Sequence, residues 1–521
     1  MTTTLASLVT LAQASGSELN EIATPTIDWS ALWPGICLAL GGILLLTIAS
    51  LAKRWLFEGF YALFTVAAGL AAIATAIPLW HEVQTGDGPF SAVAQAIGVD
   101  GFSVYLTIVI ASAVVLTALL ADGYLRREGM DGPEFYVLML LSASGGVVMA
   151  SANDLIVMFL GLEVLSISVY VLAAMHRKRA TSQEAGIKYF VLGAFSSAFF
   201  LYGIAMVYGA TGSTNMVKIS AFLATEVPLS DATLLVGFAF LLVGFGFKIA
   251  AVPFHSWTPD VYEGSPTPVV AYMASGVKVA GFAGLIRVFS LTFATYATDW
   301  QPILYALAVL TLVVGSVLAV VQTDVKRMLA YSSINHAGFI LLGVVAASAQ
   351  GTSASLFYLA AYTFMVVGTF GVITVVSRKG DELTKLDDFK GLGGSRPVLA
   401  LVFTIFLLAQ AGVPLTSGFF AKFYVLEAAV ESSYYWLALI AMLTAVVSAF
   451  LYLRIIVSMY MGAADGDDPL PELEGPEVKV PAAAGLALAI CLAVTVFVGF
   501  FPQHLLDLAN EAIPVLVASA P

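Results

Sequence analysis

Residues 267–289 read TPVVAYMASGVKVAGFAGLIRVF, a long apolar run whose charged side chains are Lys278 and Arg287. A helix needs about 20 mostly apolar residues to cross a lipid bilayer, so this stretch is long enough to span one. Lys278 follows eleven residues of the run and would lie near the middle of the membrane. The stretch therefore predicts a membrane-spanning helix with an ionisable side chain inside it.

Runs of the same kind occupy most of the chain. We count about fourteen of them: Ala31–Ser50, Phe60–Trp80, Phe102–Ala121, Pro133–Ser151, Asp154–Met175, Ile187–Ala210, Ala232–Tyr262, Thr267–Phe289, Gln301–Val321, Met328–Ala347, Ser355–Val376, Val398–Glu427, Tyr435–Tyr460 and Pro481–Phe501. A membrane β-barrel would instead show segments of about ten residues with alternating polarity. The sequence therefore predicts an all-α polytopic membrane protein.

The composition supports this class. Of the 521 residues, 60% are hydrophobic and 11% are charged, whereas about 25% of the residues of an average soluble protein are charged. The net charge of −12 disfavours a nucleic-acid partner. The two cysteines, Cys37 and Cys491, are too few for a Cys₄ zinc site or an iron–sulfur cluster. The expected surroundings are the lipid bilayer.

The basic residues predict the orientation of the chain. Of the 22 Lys and Arg residues, most fall in alternate loops, and Lys218 alone falls in a loop on the opposite side. The first set is Lys53, Arg54, Arg126, Arg127, Arg177, Lys178, Arg179, Lys326, Arg327, Arg378, Lys379, Lys385, Lys390, Arg396 and Lys479. The positive-inside rule makes this set cytoplasmic and leaves both termini outside, and we expect these charges to set topology only.

No separate soluble domain is visible. We expect an N-terminal surface segment (1–30), a three-helix region (31–130), a first five-helix unit (131–290), a second five-helix unit (298–461), and a final part with an acidic loop, the last helix and a short tail (462–521).

Several charged side chains fall inside the apolar runs: Lys188, Lys248, Lys278, Arg287, Lys422, Arg454 and Glu163. Arg287 and Arg454 lie near the ends of their runs, where we expect their long side chains to reach the interface. Lys188 begins its run and would lie only one or two turns deep. Each ion at mid-depth costs at least about 2.5–3.5 kcal/mol. Static pairing of four lysines with one glutamate explains one pair at most, so we interpret the group as functional.

Lysine is suited to carrying protons in such a place. Desolvation and neighbouring ammonium groups both disfavour its charged form, and a carboxylate that moves closer restores it. A series of such groups linked by water would form a proton path.

Two of the lysine-bearing runs are interrupted. The seventh contains AVPFHSW at 251–257, and the twelfth contains GVPLTSG at 412–418. Proline frees backbone carbonyls inside a helix, which is tolerated in lipid only where protein or water satisfies them. Five is an odd number of spans, so a repeated five-helix unit would return upside down. Paired breaks in inverted repeats point to a transport site, and we predict broken helices 7 and 12 in two inverted five-helix repeats.

Two histidines are further candidates. His255 lies beside the first break and near Lys248, and His336 lies in SSINHAG at 332–338. A histidine in a helix is more often a hydrogen-bonded packing residue than a relay, and that alternative stays open for both. Asp154 opens the fifth run and is better interpreted as a helix N-cap.

The chain shows no phosphate-binding loop, and GLGG at 391–394 lacks the context of a dinucleotide fold. The energy for proton movement would have to come from an ion gradient or from attached subunits.

The stretch FKIAAVPFHSWTPDVY at 247–262, followed by Lys278, resembles the antiporter-like subunits of respiratory NADH–quinone oxidoreductase (complex I). The surroundings of Glu163 and the stretch from Gly412 to Lys422 match as well, and the resemblance covers essentially the whole chain. Mrp-type cation/proton antiporters and membrane hydrogenases contain subunits of the same superfamily. Lys422, and a chain that ends about twenty residues after the last run, resemble the N-type branch rather than the M-type or L-type.

The resemblance implies roles for individual residues. Glu163 would be the modulating carboxylate and Lys188 its neighbour, while Lys248 would be the central switching lysine. The remaining assignments make Lys278 and His255 the onward links, His336 the step after them, and Lys422 the exit-side lysine.

The resemblance also implies a proton-translocating translocase subunit of the cell inner (plasma) membrane, held among other membrane-arm subunits. No cofactor is expected on this chain, because quinone, FMN and Fe–S clusters would belong to partner subunits. An Mrp-type antiporter or membrane-hydrogenase subunit is the alternative, and a membrane scaffold or lipid-modifying enzyme with merely paired lysines is another.

Overall fold

The computed structural model describes residues 27–226, 231–377, 381, 383–461 and 480–517. Most of the expected N-terminal surface segment (1–30) and the acidic loop 462–479 lie outside this part of the chain. Arg378, Lys379 and Lys479 of the predicted cytoplasmic set lie outside it as well.

The described chain is a bundle of long helices, as the apolar runs predict. The helices are α1 (Trp29–Ala52), α2 (Phe60–Thr85), α3 (Gly101–Glu128), α4 (Glu134–Ser151), α5 (Leu155–Ala173), α6 (Ala180–Thr211), α7 (Met216–Thr225), α8 (Asp231–Ile249), α9 (Trp257–Gly264), α10 (Thr267–Thr292), α11 (Ala297–Val320), α12 (Val325–Val345), α13 (Ala349–Val376), α14 (Pro397–Ala411), α15 (Ser417–Glu431), α16 (Tyr435–Tyr460), α17 (Ala482–Phe500) and α18 (Pro502–Glu511). Short helical turns are Lys53–Trp55, Ala294–Tyr296, Leu386–Phe389 and Leu392–Ser395.

Thirteen helical segments in these ranges are long and apolar enough to cross a membrane. They correspond to every predicted run except the twelfth, which is divided between α14 and α15. The prediction of an all-α polytopic membrane protein is therefore confirmed. A small addition is an antiparallel hairpin between α2 and α3, in which Phe90–Ala92 pairs with Ile97–Val99.

The seventh and twelfth runs are both interrupted helices. In the seventh run, α8 ends at Ile249 and α9 begins at Trp257. In the twelfth run, α14 ends at Ala411, and Gly412 follows it with φ of +90°. Glycine is the residue that adopts this left-handed conformation without a steric penalty, so it ends the helix there.

Asp154 and Asp324, which are 170 residues apart, make similar contacts: each caps a helix and binds a threonine hydroxyl. Asp154 caps α5 and accepts a hydrogen bond from the Thr214 hydroxyl at 2.7 Å. Asp324 caps α12 and accepts one from the Thr384 hydroxyl at 2.5 Å. The N-cap prediction for Asp154 is confirmed. Five predicted spans lie between Asp154 and Asp324.

The centre of the bundle is formed by α3, α10, α12 and α13, whose spanning segments are almost wholly buried. The outer helices α1, α6 and α16 bury about a third of theirs and expose apolar side chains. Lys278 lies on α10, so its charge sits inside protein rather than against lipid.

The expectation that Arg287 reaches the interface is wrong. Its side chain is 1% exposed and donates to the carboxylate of Asp100 at 2.6 Å. It also donates to the Ala150 carbonyl at 2.9 Å. Segments from α3, α4 and the C-terminal tail cover this end of the run, and the Val515 N–H in the tail also donates to Asp100. The position of Arg287 within its run therefore did not predict how deeply its side chain is buried.

Candidate functional site

Lys248 lies in the last turn of α8 and is 4% exposed. Its ammonium donates to the hydroxyl of Ser166 on α5 at 2.7 Å. The rings of Tyr170 and Tyr189 lie 5.7 and 5.8 Å from the Nζ atom, close enough for a cation–π contact. The lysine therefore sits in a polar and aromatic cage rather than against a carboxylate.

Glu163 lies one turn before Ser166, the hydrogen-bond partner of Lys248, on the same helix. The Oε1 atom of Glu163 is buried and has no hydrogen-bond partner within the described ranges. A carboxylate that is near a lysine but not bonded to it can change the lysine's preference for its proton by a small movement.

The break in the seventh run shapes this cage. The indole of Trp257, at the start of α9, donates to the Phe247 carbonyl at the end of α8, 3.1 Å away. The ring of Tyr189 stacks on Trp257 with a centroid distance of 4.3 Å. The HSW part of the sequence motif thus caps the broken helix that carries Lys248.

Lys278 on α10 is 3% exposed. Its ammonium lies 2.5 Å from both the carbonyl oxygen and the hydroxyl of Ser333 on α12. Gly281, nearly one turn further along α10, faces Lys248 so closely that a Cβ there would lie 3.0 Å from the Cγ of that lysine. Lys278 therefore lies on α10, and Lys248 packs against the neighbouring turn of that same helix.

A chain of hydroxyl groups continues from this point. Ser332, beside the serine that binds Lys278, lies 2.6 Å from the hydroxyl of Tyr452. That hydroxyl lies 3.0 Å from Nε2 of His336, and Nδ1 of His336 lies 2.6 Å from the hydroxyl of Tyr358. Hydroxyl groups and a neutral imidazole both donate and accept hydrogen bonds, so this series can pass a proton along.

Lys422 lies at the break in the twelfth run and is 7% exposed. Its ammonium donates to the Ala411 carbonyl, a group left free where α14 ends, at 2.8 Å. The face of Phe339 lies 5.0 Å away. Phe339 is one turn beyond His336 on α12.

The three buried lysines and His336 thus follow one another through the bundle, but direct hydrogen bonds do not join all of them. No hydrogen bond between described residues joins Lys248 to Lys278, Ser333 to Ser332, or His336 to Lys422. Water or a side-chain movement has to close these three gaps for a proton to pass.

Lys188 lies apart from this series. Its side chain is 40% exposed and forms ion pairs with Glu184 and Asp260, each at 2.6 Å. The expected neighbour, Glu163, is not among these partners. Asp260 also binds Arg327 at 2.7 Å, so Lys188 belongs to an ion-pair network at the end of the bundle.

His255 is partly buried in the break between α8 and α9. Its Nδ1 atom is buried and has no hydrogen-bond partner among the described residues. No hydrogen bond joins it to Lys248 or Lys278 in these ranges, so no direct contact supports the expected role of His255 as a link between them.

Comparison with known proteins agrees with this arrangement. The family model described as NADH:quinone oxidoreductase/Mrp antiporter, TM, matches residues 152–448. NADH-quinone oxidoreductase subunit N of Trichlorobacter lovleyi is 41% identical over 94% of this chain and 98% of its own length. The chain belongs to the NADH-quinone oxidoreductase subunit N family. The Mycobacterium tuberculosis member is 44% identical over 82% of this chain and 78% of its own.

Solved structures resemble this subunit N family member across most of its length. A chain in the structure of respiratory complex I from Thermus thermophilus with bound aureothin has a TM-score of 0.76 and 32% identity, and covers 92% of this chain and 99% of its own. A chain of the Mrp complex from Dietzia has a TM-score of 0.81 but 20% identity, covering 94% and 97%, and shows the shared fold alone.

Sequence reasoning missed the uncharged residues of the candidate site. Ser166, Ser332, Tyr358 and Tyr452 connect the predicted residues, yet each is an ordinary residue type for a buried helix. The signal that could have found Ser332, and Ser333 beside it, is the polar stretch SSINH at 332–336, which places two hydroxyls about one turn from a histidine.

No group of three or more His, Cys, Asp or Glu side chains is placed to hold a metal ion in the part of the chain that the structure describes.

Proposed function

We propose that this chain moves protons across the membrane as subunit N of a NADH-quinone oxidoreductase, and that redox chemistry in partner subunits drives the movement. One observation carries the proposal. Lys248, Lys278 and Lys422 are almost fully buried within the bundle, and none of them has an ion-pair partner within the described ranges. Uncompensated lysines cost several kcal/mol each in a membrane, which packing alone does not require.

The site chemistry supports one sequence of transfers, from Lys248 toward Lys422. Lys248 accepts a proton when the carboxylate of Glu163 moves closer, since an opposite charge favours the ammonium form of a lysine. When the carboxylate moves away, desolvation expels the proton toward Lys278 across the gap at Gly281. Since like charges repel strongly in a low dielectric, a charged Lys278 in turn opposes recharging of Lys248.

From Lys278 the proton passes to the hydroxyl series. The ammonium donates to Ser333, and the adjacent Ser332 connects through Tyr452 to His336. A proton arriving at one imidazole nitrogen is released from the other, so His336 exchanges tautomers as it works.

Lys422 then receives the proton beyond Phe339. Its bond to the Ala411 carbonyl places it at the C-terminal end of α14, where the helix dipole favours a positive charge. Loss of this contact would favour release, so we assign Lys422 the exit-side role.

Lys188 and His255 act at the edges of the proton path rather than within it. Lys188 acts through the network with Asp260 and Arg327 at the end of the bundle. His255 offers an unpartnered buried nitrogen beside the break and would join the path through water.

The proposal extends to the setting of the chain. The membrane is the cell inner (plasma) membrane, the basic loops face the cytoplasm and both termini face outward, following the positive-inside rule. Quinone, FMN and Fe–S clusters reside on partner subunits, and the two five-helix units 131–290 and 298–461 form the inverted repeats that contain the path.

The test is proton translocation by the purified complex in liposomes, with NADH oxidation measured in parallel. Lys248→Met and Lys422→Met should assemble and lower proton translocation by at least about tenfold, because a positioned proton-transfer group is worth roughly 10²–10⁴ in rate. Lys218→Met, at an exposed lysine, is the matched control and should behave like wild type. Normal translocation by both buried-lysine variants in assembled complexes would refute the proposal.

A further inference from the structure

A groove of about 1210 Å³ opens where the loops 129–133 and 174–179 meet the helices α1, α4, α5 and α6. Pockets for ordinary small molecules measure about 300–1,000 Å³. The groove is therefore large enough for a longer ligand, and no part of the proton series described above fills it.

The helical walls of the groove are apolar and open to the surroundings. Leu46, Val171, Ile187 and Phe190 line it, and each is between 46% and 66% exposed. Exposed apolar walls between membrane helices are suited to hydrocarbon chains.

The loop end of the groove is charged, with both signs present. Asp131 and Glu134 line it together with Arg177 and Lys178, and all four are exposed. The buried Nδ1 atom of His176, which also lines the groove, has no hydrogen-bond partner in the described chain. A headgroup with one positive and one negative charge would complement this end.

The length of the groove distinguishes a lipid from a protein helix. On α6 the lining extends from Gln183 to Phe190, which is about 10 Å of helix rise. On the preceding segment it extends from Tyr170 to Lys178. The hydrocarbon core is about 30 Å thick, so one leaflet is about 15 Å. The groove stays within one leaflet. A membrane-spanning helix of a partner subunit would need a groove about twice as long.

We propose that this groove binds one phospholipid with a zwitterionic amine headgroup, of the phosphatidylethanolamine type. The acyl chains lie on the apolar walls, the phosphate faces Arg177 and Lys178, and the ammonium faces Asp131 and Glu134. The site goes beyond the proposed proton path and does not depend on it.

A bound lipid would also affect the neighbourhood of Lys248. Tyr170 lines the groove, and its ring lies 5.7 Å from the ammonium of Lys248. A lipid seated there keeps bulk water away from that side of the cage.

The test is photo-crosslinking of the purified complex with phosphatidylethanolamine that carries a photoreactive acyl chain, followed by mass spectrometry of the labelled peptides. We expect label on peptides that contain 131–138 and 170–178. Val171→Trp, which fills the groove, should lower this labelling severalfold, whereas Val446→Trp, at an exposed position of α16, should not. Arg177→Gln with Lys178→Gln should also lower it, and Lys218→Gln is the control for loss of a charge.

Three results would overturn the proposal. The first is labelling of these peptides that Val171→Trp leaves unchanged. The second is equal or stronger labelling by phosphatidylglycerol with the same reactive chain, which would make the site one for anionic lipid. The third is the absence of lipid label from both peptides in the assembled complex, the result expected if a partner subunit covers the groove. None of these results bears on proton translocation, so the two proposals fail separately.

Discussion

The ammonium of Lys422 donates to the carbonyl oxygen of Ala411, 2.8 Å away, across the break between α14 and α15. The break leaves carbonyl groups without helical partners, and the lysine satisfies one of them. The same interruption therefore creates both the place for a buried charge and the group that holds it.

Gly412 makes this contact possible. Its φ is +90°, and a Cβ there would lie 2.9 Å from Cδ of Lys422. Gly412→Ala should therefore displace the ammonium from Ala411 and strain the backbone by roughly 1–3 kcal/mol. We expect proton translocation to fall while the complex still assembles. Gly394→Ala, where a Cβ meets nothing within 4 Å, is the control. Equal translocation by both variants would contradict the importance of the Lys422 position.

The hydroxyl group of Tyr452 lies within hydrogen-bond distance of both the Ser332 hydroxyl and the His336 ring. Tyr452→Phe keeps the ring and removes the link, so we expect slower proton translocation with nearly unchanged thermal stability. A pH profile of translocation should change as well, because His336 loses a partner. Tyr435→Phe, at an exposed tyrosine, should leave both measurements unchanged. A wild-type rate in Tyr452→Phe would exclude this branch of the path.

Arg287 and Asp100 form a buried ion pair at 2.6 Å. Arg287→Met alone leaves an unpaired buried carboxylate, which costs about 3–5 kcal/mol. We expect much less assembled complex on a native gel and a lower melting temperature. Replacing both residues, Arg287→Met with Asp100→Asn, should recover most of the loss, because it removes both buried charges and keeps a side-chain oxygen that can accept from the N–H groups of Ser103 and Val515. Arg454→Ala, which removes two bonds to carbonyls at the end of α11, should be mild by comparison.

Asp381 lies outside the spanning helices and joins several segments. Burial opposes its ionisation, but Lys326 and Arg179 outweigh that effect, and the pKa of Asp381 lies below its ordinary value. A carboxyl with a lowered pKa stabilises the fold above its unfolded pKa, about 3.9, and this contribution is lost as pH falls through the lower folded value. Asp381→Asn should therefore lower the melting temperature at pH 7, and the difference from wild type should shrink below about pH 4. A constant difference at all pH values would contradict the ionic explanation.

The apolar runs predicted most of the architecture because the thickness of the bilayer constrains each helix separately. The runs at 435–460 and 481–501 match helices to within one residue at each end. The run expected to start at Ile187 starts instead at Ala180, since the helix continues into polar sequence beyond the apolar part. A run of apolar residues predicts where a helix spans the membrane. The residue at which the helix begins or ends in polar sequence depends on its capping groups and on neighbouring segments.

The site was predicted unevenly. Lys248, Lys278 and Lys422 could be found from the sequence because a charge within an apolar run stands out by itself. Arg287 looked equivalent to Arg454, yet one is wholly buried against Asp100 and the other is partly buried at a helix end. Their difference depends on which other segments cover each run, and no local pattern contains that information.

What the sequence alone determined is the class of protein, the positions of the helices, the two interruptions and the presence of ionisable groups within apolar runs. Each follows from the order of residues along one helix and from the cost of placing a charge or a free carbonyl in hydrocarbon. Only the tertiary structure decided which side chains meet. The pairing of Lys278 with Ser333, of His336 with Tyr452, and of Lys188 with Asp260 depends on how helices rotate and pack against one another, which is a property of the whole bundle.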